Sequence, residues 1–482
     1  MTQSNGKSPS AAVREKLNHP VVDTDGHTIE YLPALTEVLA EVAGRELADK
    51  WAGRQINWHR YTRQQRYDHR TIRPPWWSLP ARNTRDRATA MLPALLRERL
   101  DEFGIDYCIV YPTNGLFFIS EPNDEMRQAL CRALNIYHAR VFGPHADRIT
   151  PVATIPLNTP EEGIAELDYA IGELGLKSII TPGHVRRPVP VVARDMPKAR
   201  RYAMWLDHLA LGSPHDYDPF WQRCMERKVA VTEHSGGMGW GTRNTIDNYV
   251  FNHIGHFAAA GEAFCKAVIM GGVRRRFPDL HFAFLEGGAA WATTLLADLI
   301  SHWEKRNKDA VTSYDPAQID MEELADLFER YGQNVLDGTK GRDGFKADFL
   351  TRYAEDPALV DEFAPCGFGR AEDIVEQFQP RFFFGCEADD PANALAFNPD
   401  ISPCGQRLNA IFASDIGHWD VPDMREVLEE AYELVEHGKL GEADFRDFVF
   451  TNPVRLHGGM NPDFFKGTSV EAAAAKCLKD AA

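Results

Sequence analysis

Four short segments, far apart in the 482-residue chain, each carry side chains that ligate metal ions. VVDTDGHTIE (21–30) supplies Asp23, Asp25, His27 and Glu30, and VTEHSGG (231–237) supplies His234. FLEGG (284–288) supplies Glu286, and ASDIGHWD (413–420) supplies Asp415 and His418. Asp25 and His27 are two residues apart, so on an extended chain both point to the same side. Imidazole and carboxylate together bind divalent metals and leave positions open for water or substrate. Taken singly, each segment is ordinary. Asp and His are common in turns, and Glu286 before Gly287-Gly288 also reads as a helix cap. Four coincidences at the same kind of position point to one metal site.

Those side chains need a scaffold that brings distant segments to one place. Eight β-branched or aromatic runs read as strands: Val21–Asp25, Tyr107–Tyr111, Ile149–Thr154, Ser178–Thr181, Ala230–Glu233, His281–Glu286, Arg381–Gly385 and Ala410–Ser414. Amphipathic stretches lie between several of them, as at Pro160–Leu174, where apolar residues recur at helical spacing. Strands alternating with helices imply parallel βαβ units, and eight such units predict a closed (β/α)8 TIM barrel of the α/β class. In that fold the reactive groups gather where the strands end, and the ligand-type residues fall at such ends.

The reading is a single barrel domain over 1–470, followed by a short tail at 471–482. Two insertions exceed ordinary connections, which points to function. Residues 45–95, after the first strand, are rich in Arg and hold Trp51, Trp58, Trp76 and Trp77. They read either as a lid offering guanidinium to a substrate carboxylate or as a salt-bridged surface or subunit contact. Residues 303–378, after the sixth strand, read as largely helical (MEELADLFERYGQNVL). The glycine-rich run HSGGMGWG (234–241) lacks the Lys-Ser/Thr of a phosphate loop and instead lets backbone approach a metal ligand.

Composition narrows the function classes. The net charge is −17, from 70 acidic and 53 basic residues, so a nucleic-acid backbone is an unfavourable partner. No stretch is long and apolar enough to span a membrane, and residues 1–18 are polar, unlike a secretory signal. The eight cysteines form no CxxC pair and several lie in apolar runs, as expected of reduced thiols in a soluble cytoplasmic protein.

The motifs together resemble the amidohydrolase superfamily, in the amidohydrolase-related branch that contains aromatic-acid and aminocarboxymuconate-type decarboxylases. The resemblance covers roughly residues 20–465. It rests on Asp25-Gly26-His27, on GIDYCIVYPT (104–113) and on GGVRRRFPDLHFAFLEGGAAW (271–291). It rests too on ASDIGH (413–418), similar to the family's SD-x-x-H, and on the closing FRDFVFTNPVRLHG (445–458). It implies that Asp25, His27, His234 and Asp415 are the primary metal ligands. In one respect this chain departs from the branch. Its decarboxylases present a His at the end of the sixth strand, and here that position is Glu286, a harder and anionic group.

Ligand-type side chains outnumber the needs of one ion. Glu30, Glu286, His253, His256 and His418 remain after the primary four. His253 and His256, three apart in NHIGHFAAAG, read as one face of a helix start, where each serves as ligand, cap or supporting group. With Glu286 they are the candidate catalytic residues. The surplus favours a dinuclear iron or manganese centre, held on its second side by Glu286, Glu30 and His256 or His418, since a few superfamily members of this kind are non-haem oxygenases. The expected activity is then hydroxylation of a small, anionic, carboxylated substrate by O2. The alternative is a single zinc or manganese ion serving hydrolysis or decarboxylation of a small carboxylic acid. A third reading is a metal-bearing barrel that serves a catalytic homologue as a non-enzymatic subunit. A homo- or hetero-oligomer with a related barrel is the expected assembly.

Overall fold

A computed structural model of the chain describes residues 7–58, 60–75, 82–235, 243–336, 356 and 359–480. Trp76, Trp77 and residues 236–241 of the glycine-rich run lie outside the described residues, as does part of the second insertion.

The eight apolar runs do become eight parallel strands. They are β1 (Val22–Thr28), β2 (Tyr107–Pro112), β3 (Ile149–Thr154) and β4 (Ser178–Thr181), and then β7 (Val231–Glu233), β8 (Phe282–Phe284), β9 (Phe382–Glu387) and β10 (Asn409–Ala413). They follow one another in the order β1-β2-β3-β4-β7-β8-β9-β10, a nearly closed barrel with helices around it. Between β4 and β7 the chain adds a small antiparallel pair that the sequence reading did not anticipate, β5 (Val185–Pro188) with β6 (Met204–Asp207). All eight expected runs land on barrel strands, with edges displaced by a few residues. The largest differences fall where function sits. The first strand runs on through His27 to Thr28, β8 stops before Leu285, and β9 continues two residues past Gly385 to Glu387.

The core is continuous from barrel to helices. Phe282, Phe284, Phe382 and Phe384 are 0–1% exposed, and their rings meet edge-on or stacked at centroid distances of 5.3–5.9 Å. Such near-continuous apolar strands are what a parallel sheet covered on both faces requires. The stretch Pro160–Leu174 is helical as the periodicity predicts, but it widens from an α-helix at Pro160–Leu167 into a π-helix at Asp168–Glu173.

In the first insertion the helices Arg45–Trp58, Arg63–His69 and Thr84–Met91 pack beside the barrel. Arg63 pairs with Asp247 at 2.6 and 2.9 Å, and the Arg66 guanidinium donates to the carbonyl of Ile246 at 2.9 Å. These contacts lay the insertion on the segment that leads into the helix Tyr249–His253. In the second insertion the helices Met321–Tyr331 and Gln333–Leu336 bear out a helical character, and Ala371–Phe378 leads back into β9. Among the described residues, no helix is long and apolar enough to cross a membrane.

Candidate metal centre

The C-terminal strand ends converge as the barrel geometry demands. In β1 the pairing with β2 shifts register between Asp23 and Gly26, leaving one extra residue in a bulge that turns Asp25 toward the barrel axis. His27 Nε2 then stands 3.4 Å from Asp25 Oδ1 and 3.5 Å from Asp415 Oδ1. His234, directly after β7, lies with its ring centroid 5.1 Å from that of His27, and its Nε2 is 2.8 Å from Glu286 Oε2. Past β10 the chain turns at Asp415, and three residues on His418 Nδ1 returns to within 2.7 Å of Asp415 Oδ1. The other nitrogen of His418 lies 3.2 Å from Thr113 Oγ1.

The ligand-type atoms fall into three overlapping groups whose members all lie within 4.8 Å of one another. One is Asp25, His27 and His234; another is His27, Glu286, Asp415 and His418; the third is His253, Glu286 and Asp420. Glu30 and His256 stand outside these groups among the described residues. Glu30 Oε2 accepts the backbone N–H and side-chain amide of Asn114 at 2.9 and 2.8 Å, and its other oxygen lies 3.9 Å from His138. His256 Nε2 lies 2.9 Å from Ser235 Oγ. The expectation that His253 and His256 share one helix face is not met. Gly255 takes a left-handed φ of 68°, ending the helix Tyr249–His253 and starting a new one at His256, so the two rings flank Phe257 but make their polar contacts with different groups. His253 Nε2 faces Glu286 Oε1 at 3.7 Å, with its ring among Trp419, Tyr249 and Phe257 at 5.4–5.6 Å.

The electrostatics describe a set of anions pressed together out of water. Burial pushes the Asp25, Glu286 and Asp415 carboxyls well above their usual range, and repulsion among Asp23, Asp25, Glu286, Glu387 and Asp420 adds to it. Glu387, at the end of β9, is raised to about 8 by burial and then by Asp420, Asp389 and Asp390. The same burial lowers His234 to about 3 and His418 to about 4, and takes His27 well below its usual value, leaving imidazole lone pairs available for ligation. Asp25 Oδ1, Glu286 Oε1 and both ring nitrogens of His27 are buried without a hydrogen-bond partner, while Glu286 Oε2 and Asp415 Oδ1 face the imidazole nitrogens of His234 and His418 at 2.8 and 2.7 Å. Buried polar atoms are almost always satisfied. A cluster of orphaned carboxylate oxygens and neutral imidazoles is chemically suited to a divalent cation, which would satisfy them together.

Asp420 and Glu387 were missed by the sequence reading. Asp420 lies two residues past His418 in a loop, where nothing marks it. Glu387 carried a signal: the strand-end rule finds it once the seventh strand is extended through Cys386.

The barrel and the ligand-type cluster at its mouth together form a candidate metal centre. An amidohydrolase family model matches residues 113–336. That span holds His234 and Glu286, while Asp25, His27 and Asp415 flank it on either side. That match spans less than half of the 482-residue chain and marks a similarity to amidohydrolases. Among solved structures, it is similar to an amidohydrolase from Mycobacterium avium subsp. paratuberculosis at 16% identity and TM-score 0.51, over 92% of this chain and 100% of that one. A 2,6-dihydroxybenzoate decarboxylase from Rhizobium matches at 12% identity and TM-score 0.49, over 91% and 98%. A dihydroxybenzoic acid decarboxylase from Polaromonas, with bound manganese and the inhibitor 2-nitroresorcinol, matches at 13% identity and TM-score 0.47, over 91% and 97%.

Proposed function

We propose that this barrel is a mononuclear zinc or manganese enzyme that hydrolyses or decarboxylates a small carboxylic acid. The spacing around His27 carries the reading, with carboxylate oxygens of Asp25 and Asp415 at 3.4 and 3.5 Å from its Nε2. Ligands bound at about 2.0–2.1 Å to one tetrahedral ion stand about 3.3 Å apart. Asp25 and Asp415 each stand at that spacing from His27, and His234 shares a ligand group with Asp25 and His27, so the four meet around His27; the similarity to the amidohydrolase family model, which spans His234, supports the reading. An ion held there supplies a Lewis acid for a substrate carboxylate or carbonyl.

The chain's own residues do the rest. Glu286 is dry and stands beside the quartet, so its carboxyl is suited to hold a proton and deliver it to, or take it from, the reacting carbon or nitrogen. His253, packed against Trp419 and Tyr249, faces the second oxygen of Glu286 at 3.7 Å. The first insertion rests on the segment leading to His253, where Arg63 is held by Asp247 and Arg66 by the Ile246 carbonyl. The protein works in a reducing cytoplasmic compartment, consistent with eight free cysteines, and pairs with a second barrel of its own or a related kind.

A second reading is favoured by the third ligand group. His253, Glu286 and Asp420 share space next to the quartet, and a second ion there makes the protein a dinuclear iron or manganese oxygenase of a small carboxylated substrate. Metal analysis of the purified chain together with activity assays in air and under anaerobiosis separates the two. One equivalent and full anaerobic turnover of a carboxylic acid support the first; two equivalents and strict dependence on O2 overturn it.

A further inference from the structure

The first and last strands of the barrel meet without a regular ladder, so the strand order begins at β1 and ends at β10 with the seam between them. The candidate ligands flank that seam: Asp25 and His27 on one side, Asp415 on the other. A few bonds cross it. The His27 N–H donates to the carbonyl of Ile416 at 2.9 Å, the Asp415 N–H to that of Asp25 at 3.0 Å, and the Thr24 hydroxyl to that of Phe412 at 2.6 Å.

At the N-terminal edge of this crossing lies the Asp23 carboxylate, with 0% of the residue exposed. Its Oδ1 accepts the backbone N–H groups of Ser414 at 3.0 Å and Asp25 at 3.2 Å. Its Oδ2 accepts the Ser414 hydroxyl at 2.6 Å and the Cys108 thiol at 3.1 Å. Four donors, from β1, β2 and the residue following β10, thus converge on one side chain. The bulge in β1 opens at Asp23 and closes at Gly26, where a Cβ would fall 2.8 Å from both Asp23 Oδ2 and Cys108 Sγ. The glycine leaves room for the carboxylate.

We propose that Asp23 is a positioning residue, a carboxylate clasp across the barrel seam that sets the separation of Asp25 and His27 from Asp415 and with it the affinity for a divalent cation. The inference rests on the reading that these three side chains share an ion. Two backbone bonds join them across the seam, Asp415 N–H to Asp25 and His27 N–H to Ile416, with no regular ladder continuing on either side. A rigid acceptor that gathers four donors from three strands' ends reinforces that short pairing and fixes its register. Groups that orient ligands in this way typically control metal affinity by about 10–100-fold.

The test uses the full-length chain stripped of metal, titrated calorimetrically with Mn²⁺ and Zn²⁺, with the ligand-field absorption of the Co²⁺ form and the melting of the metal-free form read alongside. Asp23→Asn keeps the shape but presents an amide N–H₂ to donors, and Gly26→Ala keeps the carboxylate but crowds it. Both are expected to bind metal at least about tenfold more weakly and to shift the cobalt spectrum, while still melting cooperatively. Ser414→Ala, which deletes one bond of the four, covers the case in which either variant does not fold, and is expected to lose several-fold in affinity. Folded variants with wild-type affinity and an unchanged cobalt spectrum overturn the clasp alone. A wild-type chain that takes up no divalent ion overturns the metal centre, and the clasp with it.

Discussion

Glu286 and Asp415 occupy backbone that non-glycine residues rarely adopt, with φ of 55° and 49°. Each such turn costs on the order of 1–2 kcal/mol, offset by the surrounding fold, and each aims a carboxylate into the barrel mouth. The two positions separate binding from chemistry. Asp415→Asn and His234→Ala are expected to abolish tight metal binding and at least 99% of turnover while leaving the circular dichroism of the barrel intact, as elemental analysis and spectra would check. Glu286→Gln is expected to keep the metal equivalent and lower kcat by about 100-fold or more, the loss typical of a missing proton-transfer group. Loss of one of two metal equivalents in that variant is instead the signature of the dinuclear reading.

The elements that present these residues are short and depend on particular polar ties. The helix Tyr249–His253 has only five residues, too few to be stable alone, and its outward side chains Val250 and Phe251 are about half exposed. Asn248 caps its first turn, and the fully buried Asn252 accepts from the Thr245 N–H at 2.6 Å while donating to the Thr245 carbonyl at 2.9 Å and the Arg73 carbonyl at 3.4 Å. Asn252→Ala strands these backbone groups at a cost of about 1–3 kcal/mol. The expected result is a lower melting temperature, by a few degrees, and faster amide exchange across 245–254, with metal binding by the Asp25 quartet retained. Exchange rates that do not change would show that the helix is held by its packing alone. The sequence reading placed histidines in this region correctly but joined two helices into one. The left-handed turn at Gly255 that separates them sits against the Arg243 guanidinium, a tertiary contact that periodicity does not encode.

At the scale of the whole molecule the buried ionisable groups dictate how stability follows pH. His184, His234 and His457 are lowered to about 3, and His138, His256, His281 and His418 to about 4, each chiefly by burial. Unfolded histidines titrate near 6.5, so below that pH the unfolded chain binds more protons than the native one and stability rises with pH up to about 6.5. The carboxylates act with the opposite sign. Glu387 holds its proton in the folded state up to about 8 and releases it near 4.3 when unfolded, so it withdraws stability as pH climbs between those values. Metal-free protein is therefore expected to melt highest near neutrality and to lose stability toward pH 8. A bound cation, by compensating the crowded carboxylates, should flatten the alkaline fall. Thermal melts across this range with and without added Mn²⁺ test it; a metal-free protein that gains stability steadily to pH 8 contradicts the crowding.

The eight strands, their alternation with helices and the ligand-type residues at β1, β7, β8 and β10 are all legible in the linear chain. Strand periodicity and the chemistry of His, Asp and Glu are local properties, and closure into a barrel follows once parallel units are counted. What only the tertiary structure decided is which surplus groups belong to the site. Glu30 turned to Asn114 and His256 to Ser235, whereas Asp420 and Glu387 entered from a loop and from a strand that outran its apolar run. Those outcomes depend on bulges, left-handed turns and the open seam between the first and last strands, where a displacement of one residue decides which neighbours a side chain meets. Spacing along the sequence constrains which face a residue takes within its own element, but distances between elements are set by packing, and coordination is a matter of distance.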